Sequence, residues 1–551
     1  MDDVRRVVEE VVSQSDGGLT QAWATVIASL GVLGSGLLVW RSNKKARELA
    51  SVHFHETHEL AVTRGLRERF TTIAGQIADP SPAVRIAGVY AMGALADDWI
   101  KRRSMSEAQA CVNILCAYLR APYSVDAIRG DNEVKRVVST TLRNRVVEEH
   151  LEFRQDDLEV RRCIVQTIAK RLLVDSIDSW SNLNFDFRSA YFVDADLTEA
   201  VFGRDVSFAG ATFDGEMARF DHVRFGGNAD FTRACFRGKR ISFAGAAFAG
   251  RCEFVEARSD QQVAVMSFEG ASFEGWITNF TDAVFEGRRL EFTSATFSSQ
   301  ETLFIRTQFR AEEISFESAK LFGGTTRFGK AEFHGSTTFM DHVTFAPEKQ
   351  LTFSSVKFLS SDGTFFSQSE FRSKHTSFGE AEFRSEVTEF EGVLFGSGVV
   401  KFPKARFGGR EVIFHGAAFI GGRISFFAAT FEDQTIVTFD YPAMWNNVTF
   451  DWSARVPNEM SARKPGNVLP VKWPPELQKD PKVDDISAVP VPFERSTAGL
   501  AASKETYRIT ETASAEPEPD DSTPSSNASA GWQSRIPAGG WWRDFVTRLR
   551  S

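Results

Sequence analysis

The hydrophobic pattern in the second half of the chain is set by phenylalanines that recur at alternating intervals of 5 and 7 residues. A helix repeats its apolar positions about every 3.6 residues and a half-buried strand about every 2, so neither accounts for this spacing. The pattern predicts a coiled chain in which each phenylalanine marks one side and the corners fall between the marks. The clearest run is Phe366, Phe371, Phe378, Phe383, Phe390, Phe395, Phe402, Phe407, Phe414, Phe419, Phe426 and Phe431. An earlier run is Phe268, Phe273, Phe280, Phe285, Phe292, Phe297, Phe304, Phe309 and Phe316.

A small residue stands two positions before the second phenylalanine of most pairs, as at Ala271, Ala283 and Ala405. The units at 242–250 and 195–202 show the same Ala-x-Phe core. These units resemble the pentapeptide repeat. The resemblance implies a mainly β fold over 185–450, a right-handed quadrilateral β-helix or pentapeptide-repeat solenoid. The central Leu or Phe and the small residue of each unit would then point inward.

The 7-residue interval departs from that family, whose usual coil is four units of five. We interpret the two additional residues as a widened corner on alternate sides, which gives a coil of 24 residues. From Phe208 to Phe431 this predicts about nine coils, or about 45 Å at the spacing of neighbouring strands.

Near the start of the chain, residues 19–40 carry no charge, and Trp23 and Trp40 stand near the two ends. At about 1.5 Å per residue this segment is long enough to cross a bilayer as a helix. Basic residues follow it at once, from Arg41 to Arg47, whereas acidic residues predominate before it. The positive-inside rule therefore predicts a single-pass plasma-membrane protein, with residues 1–18 outside and the repeat domain in the cytoplasm. A cleaved signal peptide and a buried soluble helix are the alternatives.

Residues 41–180 have a helical pattern, and we expect a cytoplasmic α-helical module. The segment 82–98 resembles a HEAT-repeat helix, with Ser81 placed to cap it. Asp131-x-Glu-Val-Lys-Arg recurs as Asp157-x-Glu-Val-Arg-Arg, which predicts a pair of helices. The order of anchor, helices and Phe-rich repeats also resembles membrane-anchored actinobacterial pentapeptide-repeat proteins.

Residues 451–540 are rich in Pro, Ser, Ala and acidic residues, and this composition predicts a disordered linker. Residues 541–551 are basic and aromatic, including Trp541 and Trp542. This segment could bind membrane lipid, bind a protein or end the chain without a partner, and the sequence leaves these readings open.

The composition narrows the possible classes of function. The chain has 50 Phe but only 6 Tyr, an aromatic excess suited to burial. Lys and Arg number 64 against 73 Asp and Glu, and acidic residues also outnumber basic ones over 185–450, which disfavours nucleic-acid binding. The five cysteines form no CxxC pair, so we expect reduced, buried thiols. They are Cys111, Cys116, Cys163, Cys235 and Cys252.

No motif for phosphate binding, nucleophilic hydrolysis or zinc proteolysis occurs, so we predict no enzyme, no catalytic or metal residues and no cofactor. The nearest constellation is His53, His55 and His58 with Glu59, which could ligate a metal on a helix but is also typical of a polar juxtamembrane helix. Five further histidines stand at non-Phe positions and are expected on the surface. They are His222, His334, His342, His375 and His415.

Together these patterns favour a membrane-anchored, non-enzymatic scaffold that presents solenoid faces to an unidentified protein partner. Homo-oligomerisation stays open. The alternative is a DNA mimic acting on an enzyme such as gyrase, as the family resemblance allows. A mimic needs a continuous acidic face, and basic residues such as Arg233, Lys239, Lys401 and Arg410 interrupt it.

Overall fold

The structure is a computed structural model of the chain. It describes residues 6, 40–45, 47, 57–123, 135–142, 145–152, 157–174, 179–396, 398–453 and 463–478. The predicted membrane span at 19–40 therefore lies outside the described residues except for Trp40, and so does the segment 541–551. Within the described ranges, no helix combines the length and the apolar character that crossing a bilayer requires.

Within the described ranges before the solenoid, four helices pack together: α1 (57–77), α2 (Pro82–Lys101), α3 (Met105–Arg120) and α4 (Leu158–Leu172). Residues 40–45 and 47 are also helical. Cys111, Leu115 and Leu119 form a fully buried apolar stripe along α3. Ser81 is the N-cap residue of α2, as expected, but its side chain makes no capping hydrogen bond.

The duplicated segment does not form the predicted pair of helices. Its second copy begins α4, but the first copy leads into two antiparallel strands, Lys135–Leu142 and Arg145–Glu152. Their β-branched runs, Val137 to Thr141 and Val146 with Val147, explain the difference, because such residues favour strands over helices.

The described residues from Phe185 to Leu469 wind into a right-handed β-solenoid of about 11 turns with four faces. Along the chain, each turn passes through a first, second, third and fourth face, and strands in successive turns pair in parallel. The first face consists of Phe185–Asp186, Val206–Ser207, Ala229–Asp230, Cys252–Glu253, Ile277–Asn279, Glu301–Leu303, Thr325–Arg327, Gln350–Thr352, His375–Ser377, Val399–Lys401, Arg423–Ser425 and Val448–Thr449.

The second and third faces belong to one sheet. The second face consists of Tyr191–Val193, Thr212–Asp214, Cys235–Phe236, Arg258–Ser259, Glu332–Phe333, Lys357–Phe358, Glu382–Phe383, Arg406–Phe407 and Thr430–Phe431. The third face consists of Met217–Arg219, Arg240–Ser242, Val265–Ser267, Thr337–Phe339, Gly363–Phe365, Val387–Glu389, Glu411–Ile413, Ile436–Thr438 and Val468–Leu469. Two longer strands, Val284–Glu291 and Gln308–Ser315, run through both faces.

The fourth face consists of Val201–Phe202, Arg224–Phe225, Ala247–Phe248, Ser272–Phe273, Thr296–Phe297, Lys320–Leu321, Thr344–Phe345, Glu370–Phe371, Leu394–Phe395, Ala418–Phe419 and Met444–Trp445.

Four columns of side chains fill the interior, as the phenylalanine spacing predicted. The column beside the first face is an uninterrupted stack of phenylalanine rings, with neighbouring centroids 4.5 to 5.1 Å apart. Its members are Phe187, Phe208, Phe231, Phe254, Phe280, Phe304, Phe328, Phe353, Phe378, Phe402, Phe426 and Phe450. Nine turns separate Phe208 from Phe426, in agreement with the predicted count. Between its end residues, each of the other three columns contains one residue that is not phenylalanine. These residues are Ser259, Leu321 and Met340.

The two intervals correspond to two kinds of corner. The 5-residue interval crosses a tight turn, in which the N–H of Ala190 donates to Phe187 O at 3.0 Å and Ser189 has a φ of 57°. The 7-residue interval crosses a wider corner, which confirms the interpretation of the additional residues. At the wide corner between the fourth and first faces the turns approach very closely: a Cβ on Gly275 would lie 1.9 Å from Gly250 O.

The N-terminal end of the solenoid is covered by α3. Gln109 donates to Asn184 O and accepts from Asn184 N, both at 2.8 Å, and Arg120 donates to Asp186 O at 2.9 Å. The junction is fixed by Asp97, which receives hydrogen bonds from Arg171 and from Nε1 of the buried Trp180. These contacts satisfy an edge that would otherwise expose unpaired backbone groups.

The C-terminal end corrects part of the predicted disordered linker. Residues 463–478 are described and close the last turn, with the strand Val468–Leu469 paired to Ile436–Thr438. The ring of Trp473 packs edge-on against Phe450 at 5.2 Å. A buried Val468 and this Trp supply the apolar contacts that the Pro-rich composition around them concealed.

Candidate interaction surfaces

Charged side chains on the surface form ladders between successive turns. Lys239 pairs with Glu216 at 2.6 Å, Arg289 with Glu313 at 2.9 Å and Arg306 with Asp282 at 2.5 Å. The paired residues are 23 or 24 positions apart because one turn has about that length. Exposed pairs of this kind add little stability each, but they neutralise most of the surface locally.

Most of the basic residues expected to interrupt an acidic face belong to these ladders. Arg233 pairs with Glu256 at 2.8 Å and Arg410 with Glu386 at 3.1 Å. Hydrogen bonding and the opposite charge of Arg233 hold the pKa of Glu256 below its usual value. Lys401 is different, since it forms no ion pair with another described residue.

The fourth face carries few charges. Many of its outward positions are small, as at Ala247, Ser272, Thr296 and Ala346, although Lys320, Phe322, Glu370 and Arg372 interrupt them in the middle turns. Over the last turns they become larger and apolar. There Leu394 and Ala418 are joined by Ile420, which is 41% exposed, and Met444, which is 48% exposed.

The tight corner between the third and fourth faces has no Lys or Arg at its two central positions in any described turn. Six carboxylates stand along this acidic corner and are exposed or half-buried. They are Glu199, Asp221, Glu269, Glu317, Glu391 and Asp440. One or two turns without an exposed carboxylate lie between most of them, with residues such as Gly245, Ser294 and Gln368 at the corner, so the charge is discontinuous.

The repeat-region histidines lie at the surface, as predicted. His334 contacts Glu332 at 3.0 Å, and the half-buried His415 lies 3.5 Å from Asp440. Of the cluster formed by His53, His55, His58 and Glu59, the first two residues are outside the described residues, while Glu59 accepts a hydrogen bond from Arg102 at 2.6 Å. Over the described ranges, no three His, Cys, Asp or Glu side chains are grouped as a metal site would require.

All five cysteines are free, as expected. Four are buried, and Cys235 is half-buried. Burial raises the pKa of Cys111 and of Cys116 to about 12, so both thiols stay protonated at neutral pH.

A buried charged cluster in the helical module was not anticipated. Asp157 on the N-terminal side of α4 accepts from Arg161 at 2.9 Å and lies 3.6 Å from the fully buried Arg85 of α2. The Tyr118 hydroxyl also donates to this carboxylate. Burial and that hydrogen bond raise the pKa of Tyr118. The cluster links α2, α3 and α4. Arg85 is a charged residue, and the sequence pattern of its helix does not indicate that it is buried.

The geometry defines a β-solenoid with a closed aromatic core, and comparison with known families specifies its class. Residues 187–234 match the family model described as pentapeptide repeats (9 copies). The matched segment forms the first turns of the solenoid, and the same columns and turns continue from it to Phe450. A search of curated proteins and a search of solved structures each find no match to the chain.

Proposed function

We propose that this protein is a non-enzymatic scaffold, anchored in the plasma membrane by residues 19–40, whose cytoplasmic solenoid binds a protein partner. The anchor and its orientation rest on the uncharged segment and the basic residues after it. The solenoid faces supply extended flat surfaces, which is how repeat proteins commonly bind their partners.

The observation that carries the scaffold proposal is the end of the fourth face. Ile420 and Met444 expose apolar side chains from a sheet whose other outward residues are mostly small and uncharged. A flat apolar patch with few charges favours a protein partner over a charged ligand. The patch lies on turns held rigid by the aromatic core, so binding would cost little ordering of the chain.

Photo-crosslinking from this face tests the scaffold proposal in intact cells. A photoreactive residue replacing Ile420 should give a discrete crosslinked product, whereas the same residue replacing Thr296 on the same face should not. Met444→Glu should abolish the product by placing a charge in the contact. Equal products from both positions, or a product that survives Met444→Glu, would contradict a specific partner at this end.

The orientation has its own test. A reporter fused after residue 478 preserves the terminal strand and should be active only as a cytoplasmic type. Activity of a reporter that works only outside the cytoplasm would contradict the proposed topology.

A second candidate function is DNA mimicry toward an enzyme such as gyrase, and the acidic corner is the observation that favours it. The gaps between its carboxylates make it the weaker candidate, because a duplex presents a regular array of charges. Purified protein should inhibit gyrase supercoiling if this candidate is correct, and combined Glu269→Gln and Glu317→Gln should relieve the inhibition.

A further inference from the structure

One solenoid face departs from the general pairing of charges. Over five successive strands, from Thr325–Arg327 to Arg423–Ser425, the first face and its two flanking corners carry seven exposed cations. They are Arg327, Lys330, Lys349, Lys374, Lys401, Lys404 and Arg423. Only two carboxylates, Glu348 and Glu380, accompany them. We call this surface the basic face.

The cations of the basic face are largely unpaired. Lys404 lies 3.9 Å from Glu380, and the other six form no ion pair or side-chain hydrogen bond with any described residue. Elsewhere on the solenoid, cations mostly lie within reach of a carboxylate in the same or an adjacent turn. Segregated, unpaired charge of one sign costs self-repulsion, and a binding surface for anions would explain it.

The basic face is flat and also exposes an aromatic ring. The register aligns Arg327, Thr352, Ser377, Lys401 and Ser425 in one outward column, about 4.8 Å apart from turn to turn. At the end of the same face Phe427 is 64% exposed. Its backbone N–H donates to the Ser425 hydroxyl at 3.3 Å, which holds the backbone of this residue at the corner.

We infer that the basic face binds the anionic surface of a lipid bilayer, with its cations at the headgroups and Phe427 in the interfacial layer. A cluster of four to eight Lys and Arg is the size that binds anionic membranes, and a flat sheet lets all of them reach a flat surface together. An exposed aromatic ring beside such a cluster adds apolar contact at the interface.

Nucleic acid fits the same charge less well. Single-strand binding stacks successive bases on several aromatic side chains, and this face offers only Phe427 among its described residues. Reading a duplex requires a helix or ribbon that projects into a groove, and the basic face is an unbroken sheet. The inference deepens the proposed membrane anchorage and rests on it for the nearness of a bilayer.

The test uses the full chain added to preformed vesicles, with a fluorophore on His375→Cys in the middle of the basic face. A matched label on Gln368→Cys stands at the opposite tight corner. The native thiols are buried or half-buried, and labelling of the unsubstituted chain measures their background. A neutral quencher reports exposure. On vesicles containing about 30% phosphatidylglycerol, quenching at position 375 should fall, while quenching at 368 stays unchanged.

The decisive variant neutralises three unpaired cations, Lys374→Gln, Lys401→Gln and Arg423→Gln. Each cation contributes about fivefold to association, so the ratio of docked to undocked faces should fall by about 100-fold. A control variant of equal charge change neutralises paired cations on other faces and should leave docking intact. It carries Arg289→Gln, Arg310→Gln and Arg410→Gln. Raising the salt to about 0.5 M should also abolish protection.

Equal protection on neutral phosphatidylcholine vesicles, or an equal effect of the two triple variants, would overturn the inference. Protection by duplex DNA without lipid, where anionic vesicles give none, would replace it with nucleic-acid binding. Failure of the proposed anchor can be distinguished from failure of this inference. Without an anchor, the chain would not float with neutral vesicles. The comparison of the two triple variants on anionic vesicles would still decide whether the basic face binds lipid.

Discussion

The unbroken phenylalanine column allows the cost of a core cavity to be worked out at Phe402. Its ring is fully buried and stacks on Phe378 at 4.6 Å and on Phe426 at 4.5 Å. A buried phenylalanine removes roughly 150–250 Å² from water, which at about 25 cal/mol per Å² corresponds to about 4–6 kcal/mol. The denatured chain already buries part of that area, so the net value is smaller. We expect Phe402→Ala to destabilise the solenoid by about 3–5 kcal/mol.

Two control substitutions distinguish the loss of the stacked phenylalanine ring from the nonspecific effect of changing a residue. Phe402→Leu should cost about 1–2 kcal/mol, because Leu321 already occupies the equivalent place in another column and fills most of the volume. Glu391→Ala, at an exposed tight-turn position, should change stability by no more than about 0.5 kcal/mol. Phe390→Ala should repeat the large effect, since that ring lies 4.9 Å from Phe366 and is also fully buried.

Urea unfolding of the full chain in mild detergent, followed by far-UV circular dichroism, measures these differences. The order of the unfolding midpoints is the informative quantity, because solenoids need not unfold in a single step. If Phe402→Ala were as mild as Glu391→Ala, the ring would not be in the core and the register of the columns would be wrong.

Three further predictions concern the junction, the glycine corner and the thiols. Asp97→Asn should destabilise by about 2–4 kcal/mol in thermal melts, because it removes the negative charge beside Arg171 and turns one of the two acceptor oxygens into an NH2 donor. Asp98→Asn, at an exposed pair, should change little; equal effects would contradict the junction. Gly275→Ala should destabilise strongly, because its Cβ would meet Gly250 O. In the same melts, Gly75→Ala on α1, where the space around the Cβ is open, should stabilise by about 0.5–1 kcal/mol. A harmless Gly275→Ala would refute the close approach of the turns. Because burial raises the pKa of Cys116 to about 12, this thiol should resist iodoacetamide at about pH 8 until urea is added. Peptide mass spectrometry measures the labelling, and rapid labelling of the native protein would show that the thiol is accessible.

The solenoid core was predictable from the sequence because its determinants are local and repeated. Each inward phenylalanine and each small residue of a tight turn recurs at a fixed interval, so a one-dimensional pattern specifies the columns. The widened corners followed from the same intervals. The surface was less predictable from the sequence, because the basic face is recognised only when the register of the strands aligns residues such as Arg327 and Lys401.

Other features depend on tertiary contacts that the pattern does not record. Arg85 is polar within its helix, and only the packing of α4 places Asp157 beside it. Trp473 lies in a Pro-rich stretch whose composition predicts disorder, yet the open end of the aromatic core gives it a surface to cover. The antiparallel strands 135–142 and 145–152 are a case in which strand propensity prevails over a helical-looking duplication.

The central structural claim, a 24-residue turn stacked in register, is tested most directly by one distance. Spin labels on Ser207→Cys and Thr449→Cys would lie in the same outward column of the first face, ten turns apart. Electron–electron double resonance should give a narrow distribution centred at roughly 48 Å, from about 4.8 Å per turn. A broad distribution, or a centre roughly 10 Å longer as coils of about 20 residues would produce, would contradict the account.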